Sequence, residues 1–444
     1  MRGSSGSLPT RGKTANTLVV VLLAAVPLAV VPLSLSSPTL AAVCGLLLFL
    51  AATAPIFGLT RIGTGLVLVG MATVTFNNVH PIPGAGWMEL SDPFLLLGFA
   101  LLLPRLLGNP LRLPPAYLVG AIGLLSVGTL SALATPQPGE NFSHLLDVVR
   151  GLVFLPVFYA WWRPGTRTTI SMALAYMLGN CIDVVAAFVK GPLFDDRYAG
   201  FTTHPNVMGM CEVLSISLAP FLLGELRARH HWIVGLMAAL SMVGVWITGS
   251  RAAFACAVIL TLLYPLFNRS IPAALAVGGA SLAAFAVLHG LAQNANPDST
   301  LGRMLGEGSA QGSNDARAEG ARDGIQQFFH HPLLGDGWLT IWGAHDAYIQ
   351  IAAAVGFFGL MSYLMMVGGL LRPLFTLRRP HGLLAAPALA AVMLDIFLPV
   401  LGARYVWVVV GFALLADQLA EEQATNDSKA RAERAEPSLP RGRR

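Results

Sequence analysis

The sequence predicts an all-α fold, a polytopic bundle of transmembrane helices. Two observations indicate this class. Hydrophobic residues make up 55% of the chain and charged residues only 11%, with a mean hydropathy of +0.65, whereas ordinary soluble chains carry roughly a quarter charged residues. Apolar runs of about 17 to 25 residues also recur along the chain, and a helix of that length crosses a hydrocarbon core with its backbone hydrogen bonds satisfied internally.

The apolar runs predict about 12–14 spans. Three of them, 62–77, 92–107 and 252–267, are short enough to form re-entrant or tilted segments instead. The first run could pass for a signal sequence, but no clear small-residue cleavage site follows it, so a first transmembrane helix is expected. The predicted spans are 17–34, 39–58, 62–77, 92–107, 115–134, 145–162, 167–189, 204–224, 231–248, 252–267, 271–291, 346–372, 383–400 and 403–419.

Polar segments divide the chain into five predicted parts. A cytoplasmic N-terminal segment, 1–16, precedes the first eleven spans in 17–291. One long extracytoplasmic loop, 292–345, carries short helices, and the C-terminal spans follow in 346–420. The tail, 421–444, is polar, low in aromatic residues and without hydrophobic periodicity, so it is expected to be cytoplasmic and disordered.

The distribution of positive charge predicts the orientation, because Lys and Arg accumulate in short cytoplasmic loops. With the N-terminus inside, about twenty of the 28 Lys and Arg residues fall on the inner side. Both termini are then cytoplasmic, and the loop 292–345 faces the outside of the cytoplasmic membrane. Topology and lipid contacts therefore account for the pI of about 9.2, and no nucleic-acid partner is expected.

The basic residues left on the outer side need a separate reason. Local ion pairs or interfacial snorkelling account for Arg150, Lys190, Arg322 and Arg404. The alternative is that several outer arginines converge on an anionic ligand. The arginines considered for that role are Arg197, Arg251, Arg303 and Arg317.

Two junctions between spans carry arginines in a distinctive setting. Arg197 stands in the connection GPLFDDRYAGFTTHPN, and Asn206 opens the next helix, where free N–H groups and the helix dipole favour an anion. A neighbour pair between Arg197 and Asp196 is the open alternative. Ser250 and Arg251 interrupt two apolar runs at WITGSRAAF, and Arg251 could instead pair with an outer carboxylate.

His345 begins the span HDAYIQIAAAVGFFGL. A histidine that faces water at a helix start titrates near neutral pH, so it can take a proton from an arriving hydroxyl. The alternative is an interfacial histidine at a helix cap. Before it, the amphipathic stretch 316–329 is expected to rest Ile325, Phe328 and Phe329 on the membrane face.

Four motifs occur in one order on one predicted side: R(x)2G(x)4PN from Arg197, GSR ending at Arg251, a long loop with arginines and HPLLGDG, and H(x)2Y(x)Q(x)4VGFFGL from His345. This order resembles the O-antigen ligase and polymerase family of bacterial membrane glycosyltransferases. The resemblance covers 197–360, somewhat over a third of the chain. Each motif is weak alone, and the order makes the match specific.

The resemblance implies that outer arginines hold the diphosphate of a polyprenyl-diphosphate-linked saccharide and that His345 is the catalytic histidine. The family usually has Asn after this histidine, whereas this chain has Asp346. A neighbouring carboxylate is expected to raise the pKa of His345, or Asp346 orients the imidazole. The implied diphosphate ligands are Arg197, Arg251 and Arg317, with Arg303 as a further candidate.

The residue types fit this chemistry without the family name. Displacing a diphosphate from an anomeric carbon requires stabilised negative charge on the leaving group, which several arginines in a partly dehydrated cavity supply. One base, His345, deprotonates the acceptor hydroxyl, and a one-step attack inverts the anomeric centre. The outer loop has no acidic pair or His/Asp cluster for a divalent cation, so a metal-independent mechanism without cofactor is expected. The acceptor, a glycan or a lipid, stays open, as does ligase, polymerase or protein oligosaccharyltransferase activity.

A transporter of a small solute or ion is the rival reading. Asp147, Asp183 and Asp395 lie within or near apolar runs, where ionisable groups often mark ion pathways. However, the sequence has no two-halved repeat and no matching pair of broken helices, and the aspartates could pair with Arg150, Arg404 or helix ends. The four cysteines lack metal-ligand spacing and are expected to be packing residues.

Overall fold

The computed structural model describes residues 58–81, 88–268, 270–292, 300–305, 310–339, 345–398 and 401–435. These residues form helices, with one isolated β-bridge between Phe194 and Arg197, so the predicted all-α class is confirmed. Six of the described helices are long and apolar enough to cross a membrane. The predicted spans 17–34 and 39–58 lie outside the described residues apart from Gly58.

The structure describes sixteen α-helices, numbered in chain order. They are α1 Leu59–Thr73, α2 Ser91–Leu106, α3 Pro115–Ala134, α4 Pro138–Val149, α5 Leu155–Trp162, α6 Thr166–Lys190, α7 Pro205–Glu225, α8 His231–Ile247, α9 Arg251–Asn268, α10 Ile271–Ala292, α11 Thr300–Met304, α12 Ala310–His330, α13 Ala347–Thr376, α14 Ala386–Asp395, α15 Arg404–Val410 and α16 Ala416–Ala435.

Shorter turns join several of these helices. A π-helical turn, Arg150–Phe154, links α4 to α5, and the three together form one apolar helix, Pro138–Trp162. Turns of 3₁₀ helix include Ala228–His230, His381–Ala385 and Gly411–Leu415.

The described residues fall into two compact units, 58–70 with 80–108 and 71–79 with 109–435. In the first unit, α1 and α2 pack through the buried side chains of Val67, Leu95 and Leu102.

In the second unit, α7 is surrounded by α6, α8, α9 and α14, and it is the most buried of the six apolar helices. Helix α3 runs against α13, where a Cβ on Gly120 would lie 2.5 Å from the backbone of Met366. Small residues permit such close approach between apolar helices. The end of this unit that carries residues 191–204, 248–250 and 345–346 is called the site end below.

Helix α13 is broken at Gly356, which adopts φ 67° and ψ −167°. Only glycine occupies this backbone region readily. The break frees the carbonyls of Ala353 and Ala354, which accept hydrogen bonds of 2.8 and 3.0 Å from the N–H groups of Asp336 and Gly337. The two glycine-containing motifs HPLLGDG and VGFFGL therefore dock on each other, and this contact fixes the end of the loop that leads to His345.

We expect Gly356→Ala to destabilise the protein by about 3 kcal/mol or more, because a Cβ would lie 2.3 Å from the backbone of Leu333 and the positive φ adds strain. The measurement is thermal unfolding of purified protein in detergent. Gly368→Ala is the matched control, since a Cβ at this position of the same helix meets nothing within 4 Å. Equal unfolding temperatures for the two variants would contradict the docking contact.

The structure corrects one prediction on the tail. Disorder was predicted from Glu421, but α16 continues to Ala435. The reason lies in composition: between Gly411 and Pro437 the chain has no Gly or Pro and is rich in Ala, Glu, Lys and Arg, which are strong helix formers. The absence of hydrophobic periodicity excludes a buried face but does not exclude a helix.

Candidate functional site

A tight turn presents Arg197. Asp195 and Asp196 have φ values of 46° and 51°, and the backbone of Arg197 exchanges hydrogen bonds of 2.7 Å with Leu193 and 2.8 Å with Phe194. Two consecutive residues with positive φ define a type I′ turn, in which Asp is among the tolerated residue types. The DDR sequence is therefore a turn signal as well as a charge cluster.

The guanidinium of Arg197 joins two elements at the site end. Its Nε donates to the carbonyl of Thr248 at 2.7 Å, and its Nη2 donates to Oδ1 of Asn206 at 2.6 Å. It also lies 5.4 Å from the centre of the Phe194 ring. The described hydrogen bonds of this buried guanidinium thus go to neutral oxygens rather than to Asp196.

Side chains of α6 bind the connection that carries Arg197. Oδ1 of Asp183 accepts a hydrogen bond of 2.5 Å from the N–H of Phe201, and Gly200, at φ +58°, lies directly against this carboxyl group. Lys190 donates to the carbonyl of Gly200 at 3.0 Å and lies over the Phe201 ring. Asp183 and Lys190 therefore hold the loop in place.

His204 caps the N-terminus of α7. Its Nδ1 accepts a hydrogen bond of 3.1 Å from the N–H of Asn206, so the ring proton sits on Nε2. Burial and the positive charges of Arg197, Arg303, His345 and Arg317 lower the pKa of His204 to about 4. The imidazole is therefore neutral at physiological pH and can act as a hydrogen-bond donor.

Arg251 begins α9 and reaches the long loop. Its Nη2 donates to Oδ1 of Asn314 at 2.5 Å. Asn314 lies on α12 three residues before Arg317, and residues at this spacing are neighbours on a helix surface. Ser250 supports the helix start: its N–H donates to Oγ1 of Thr248 at 3.3 Å and its Oγ accepts from the N–H of Ala253.

Four guanidinium groups influence one another at this end. Burial and the charges of Arg303 and Arg317 lower the pKa of Arg197 to about 10, even though Asp195 opposes the shift. Burial and Arg251 lower the pKa of Arg303, and burial, Arg251 and Arg303 lower that of Arg317. We call Arg197, Arg251, Arg303 and Arg317 the arginine cluster.

One atom of this cluster is buried without a hydrogen-bond partner in the part of the chain that the structure describes. The Nε atom of Arg317 is buried and makes no hydrogen bond to any residue that the structure describes. Like charges brought together at partly desolvated positions are costly unless a counter-charge is present. An anion bound between these guanidinium groups would relieve that repulsion.

His345 lies next to this cluster, exposed to solvent just before α13. Desolvation and the positive charge of Arg317 lower its pKa below the usual value. The expectation that Asp346 raises the pKa of His345 is therefore wrong. Asp346 instead caps α13, accepting hydrogen bonds of 2.8 and 3.0 Å from the N–H groups of Tyr348 and Ile349. The pKa of His345 is therefore lowered by burial and by the charge of Arg317, in that order.

The structure also shows the surroundings of the remaining charged residues, of the amphipathic stretch and of the cysteines. Arg150 forms an ion pair of 3.0 Å with Asp147, and Asp395 accepts a hydrogen bond from Tyr363. On the amphipathic stretch, Ile325 and Phe329 are exposed. Among the described cysteines, Cys181, Cys211 and Cys256 are buried and none is in a disulfide, and Cys44 lies outside the described residues.

Two residues of the site carried no clear signal in the sequence. The motifs described above include neither His204, the first residue of the tripeptide HPN, nor Asn314. The tripeptide HPN offered a usable signal for His204, because a titratable side chain at a helix N-cap lies where anions bind. Nothing in the sequence around Asn314 indicates that it contacts Arg251.

No group of three or more His, Cys, Asp or Glu side chains suitable for a metal ion occurs within the described ranges. The four guanidinium groups of the arginine cluster give this end a local concentration of positive charge. What the arrangement can do is bind an anion with several oxygens and offer two imidazoles beside it.

Comparison with known protein families finds no matching family model, and comparison with curated proteins finds no match. The geometry at the site end is therefore the basis for a functional conclusion.

Proposed function

We propose that the protein is a membrane glycosyltransferase of the ligase or polymerase type. It transfers a glycan from a polyprenyl-diphosphate carrier to a hydroxyl of a glycan or lipid acceptor, with the site end on the outer face of the cytoplasmic membrane. The observation that carries the proposal is that the arginine cluster and His345 lie together at one end of a helical bundle. The other connections of the bundle hold most of the positive charge of the chain.

The positive charge of the arginine cluster explains how the diphosphate of the donor would be bound. A diphosphate has several anionic oxygens, and guanidinium groups bind such oxygens in a bidentate manner. As the bond from the anomeric carbon to the diphosphate oxygen breaks, negative charge grows on that oxygen, and prearranged cations at a partly dehydrated site stabilise it. The buried Nε of Arg317 and the lowered pKa values of Arg197 and Arg303 are the features expected of such a site.

His345 is the group that would activate the acceptor hydroxyl. Its lowered pKa keeps the imidazole neutral near pH 7, so it can take the proton of an attacking hydroxyl. The proton moves to the imidazole as the new glycosidic bond forms, and the polyprenyl diphosphate leaves. His204, neutral with its proton on Nε2, can donate a hydrogen bond to a phosphate oxygen without adding charge.

The sequence motifs that resemble O-antigen ligases and polymerases support the same reaction. Their arginines fall in the arginine cluster, and their histidine is His345. The glycine motifs of the resemblance have another explanation, since they dock the loop onto the break in α13.

The proposal predicts transfer without a divalent cation. Purified protein given a polyprenyl-diphosphate oligosaccharide and an acceptor glycan should release one polyprenyl diphosphate per bond formed, and a chelator should leave the rate unchanged. NMR of the product should show inversion of the anomeric configuration. Loss of activity in chelator that added Mg²⁺ or Mn²⁺ restores would contradict the mechanism, and retention of configuration would contradict one-step attack.

One observation favours a transporter as the second candidate. Glu212 is fully buried on α7, against Gly244 of α8, and acidic groups inside spans often mark ion or proton pathways. Asp183, the other carboxylate buried nearby, anchors the loop instead. Solute or proton flux through proteoliposomes that is abolished by Glu212→Gln, with no glycan transfer by the unmodified protein, would favour this candidate.

A further inference from the structure

A cavity of about 550 Å³ opens in the second unit, away from the site end. Helix α13 leaves the site end at Ala347 and reaches the cavity near its other end, at Arg372. The remaining walls are the segment before α3, the 3₁₀ turn Gly411–Leu415 and the first turns of α16. Ligand pockets usually measure about 300–1,000 Å³, so the cavity has room for a small ligand or a headgroup.

Four accessible charged side chains line this cavity. Asp417 and Glu421 lie four residues apart on α16 and therefore face the same side of that helix. Nη1 of Arg372 lies 3.3 Å from Oδ2 of Asp417, and Nη1 of Arg112 lies 3.5 Å from Oε2 of Glu421. The relative exposures of the four side chains run from 39% to 64%, so each of them presents surface to a molecule that enters the cavity.

These ion pairs are loose. Charge-assisted hydrogen bonds between nitrogen and oxygen are usually about 2.7–2.9 Å long, and exposed ion pairs bind weakly. Arg163, outside the cavity, approaches Glu421 to 4.0 Å as well, so this carboxylate is shared between two guanidinium groups. A ligand with matching charges can therefore replace either contact at little cost.

The order of the charges indicates what kind of ligand fits. The two carboxylates of α16 stand between the guanidinium groups of Arg372 and Arg112. An anion alone would meet both carboxylates, and a cation alone would meet both arginines. A molecule that carries a phosphate and an ammonium on a short linker satisfies both, because guanidinium groups bind phosphate through paired N–H groups and carboxylates accept hydrogen bonds from an ammonium.

The cavity also lies where lipid can reach it. Helices α3 and α13 are each long and apolar enough to cross a membrane, and the cavity lies at one end of both. Leu113, Leu377 and Leu414 supply apolar parts of its lining. Close in the chain to these residues, Leu111 is 47% and Phe375 78% exposed, which provides apolar surface for acyl chains.

We infer that this cavity binds the headgroup of a membrane phospholipid that carries a phosphodiester and a primary ammonium group. Arg112 and Arg372 bind the phosphate, and Asp417 and Glu421 accept hydrogen bonds from the ammonium. A quaternary ammonium has no N–H to donate and is usually held by aromatic rings, and the described lining residues include no aromatic side chain. The lipid would join the start of α3, the end of α13 and the start of α16.

Lipid binding to the purified full chain tests the inference. The protein in detergent is titrated with phosphatidylethanolamine, phosphatidylcholine or phosphatidylglycerol of the same acyl chains, and bound lipid is counted by native mass spectrometry. We expect phosphatidylethanolamine to bind about tenfold tighter than the other two lipids, because they lack the N–H donors that reach the carboxylates. Soluble glycerophosphoethanolamine, the same headgroup without acyl chains, should bind far more weakly.

Charge substitutions should change this selectivity in opposite ways. Asp417→Asn together with Glu421→Gln leaves the arginines in excess, so this variant should prefer phosphatidylglycerol to phosphatidylethanolamine. Arg112→Gln together with Arg372→Gln should weaken phosphatidylethanolamine binding about tenfold. Arg167→Gln is the matched control, an exposed arginine in the first turn of α6 and outside the cavity, and it should change neither affinity nor preference.

Thermal unfolding in detergent checks that the variants fold, which is expected because exposed ion pairs contribute little to stability. Equal affinity of the unmodified protein for the three lipids overturns the inference, and so does an unchanged lipid preference in the Asp417→Asn, Glu421→Gln variant. If glycerophosphoethanolamine binds as tightly as the lipid, the occupant is a soluble molecule and the lipid assignment is wrong. These measurements do not involve glycan transfer, so their outcome is independent of the proposed function.

Discussion

We expect His345→Ala to lower glycan transfer by about 10²–10⁴-fold, the range that general-base catalysis contributes. The physical reason is the position of this imidazole, which lies beside the arginine cluster with a pKa below the usual value because of desolvation and the charge of Arg317. The measurement is the rate of polyprenyl diphosphate release by purified protein at saturating donor and acceptor. Donor binding should persist in this variant, because the arginine cluster is unchanged.

The matched control is His330→Ala, which removes an exposed histidine from the end of α12 in the same loop. It should transfer glycan at the unmodified rate. Because the pKa of His345 is lowered, its neutral form persists as the pH falls, so the acid limb of the rate profile of the unmodified protein should lie below pH 6.5, the usual histidine value. Full activity of His345→Ala would exclude it as the base.

Arg317→Gln is expected to lower kcat/KM by roughly 10- to 150-fold, the effect of losing a hydrogen bond to a charged group worth about 1.5–3 kcal/mol. Its Nε is buried without a hydrogen bond to the described residues, so a ligand is the natural partner. Binding of the polyprenyl-diphosphate donor, measured on protein that also carries His345→Ala, should weaken in the same proportion.

The same substitution should also move the pH profile. Arg317 lowers the pKa of His345; removing the cation stabilises the protonated imidazole, so the pKa rises and the acid limb shifts to higher pH. Arg322→Gln is the matched control, an exposed arginine five residues further along α12, and it should alter neither quantity. A drop in kcat/KM with an unmoved acid limb would mean that Arg317 does not act on His345.

These two variants separate the roles of the arginine cluster and the histidine. A loss confined to the chemical step identifies the base, and a loss shared by donor binding identifies the diphosphate site. A transporter would show neither pattern, since its flux would not depend on release of a polyprenyl diphosphate.

The glycine motifs of the loop look like part of a functional signature, but in the structure their role is to hold the backbone in place. HPLLGDG and VGFFGL stand among the motifs that resemble glycosyltransferases, yet their glycines meet at the break in α13, where Gly335 and Gly356 allow two backbones to touch. Their contribution is to hold the segment that leads to His345. A glycine pattern indicates close approach of the backbone, and the sequence does not say which segment approaches.

The sequence by itself determined the all-α class and the order of the helices, because bilayer-length apolar runs leave the backbone no other way to satisfy its hydrogen bonds. It also singled out Arg197, Arg251, Arg303 and Arg317, since cations are depleted on the side where the topology rule puts them. His345 stood out because it begins an apolar span.

Only the tertiary structure decided what surrounds these residues. Long-range contacts determine that Arg197 bonds to Thr248 and Asn206 and that Arg251 bonds to Asn314. They also determine that burial and the charge of Arg317, rather than the adjacent Asp346, set the direction in which the pKa of His345 shifts. The physical reason is that a pKa depends on distance and burial in space. Asp346 is next in the chain, but its carboxylate is turned to the helix cap.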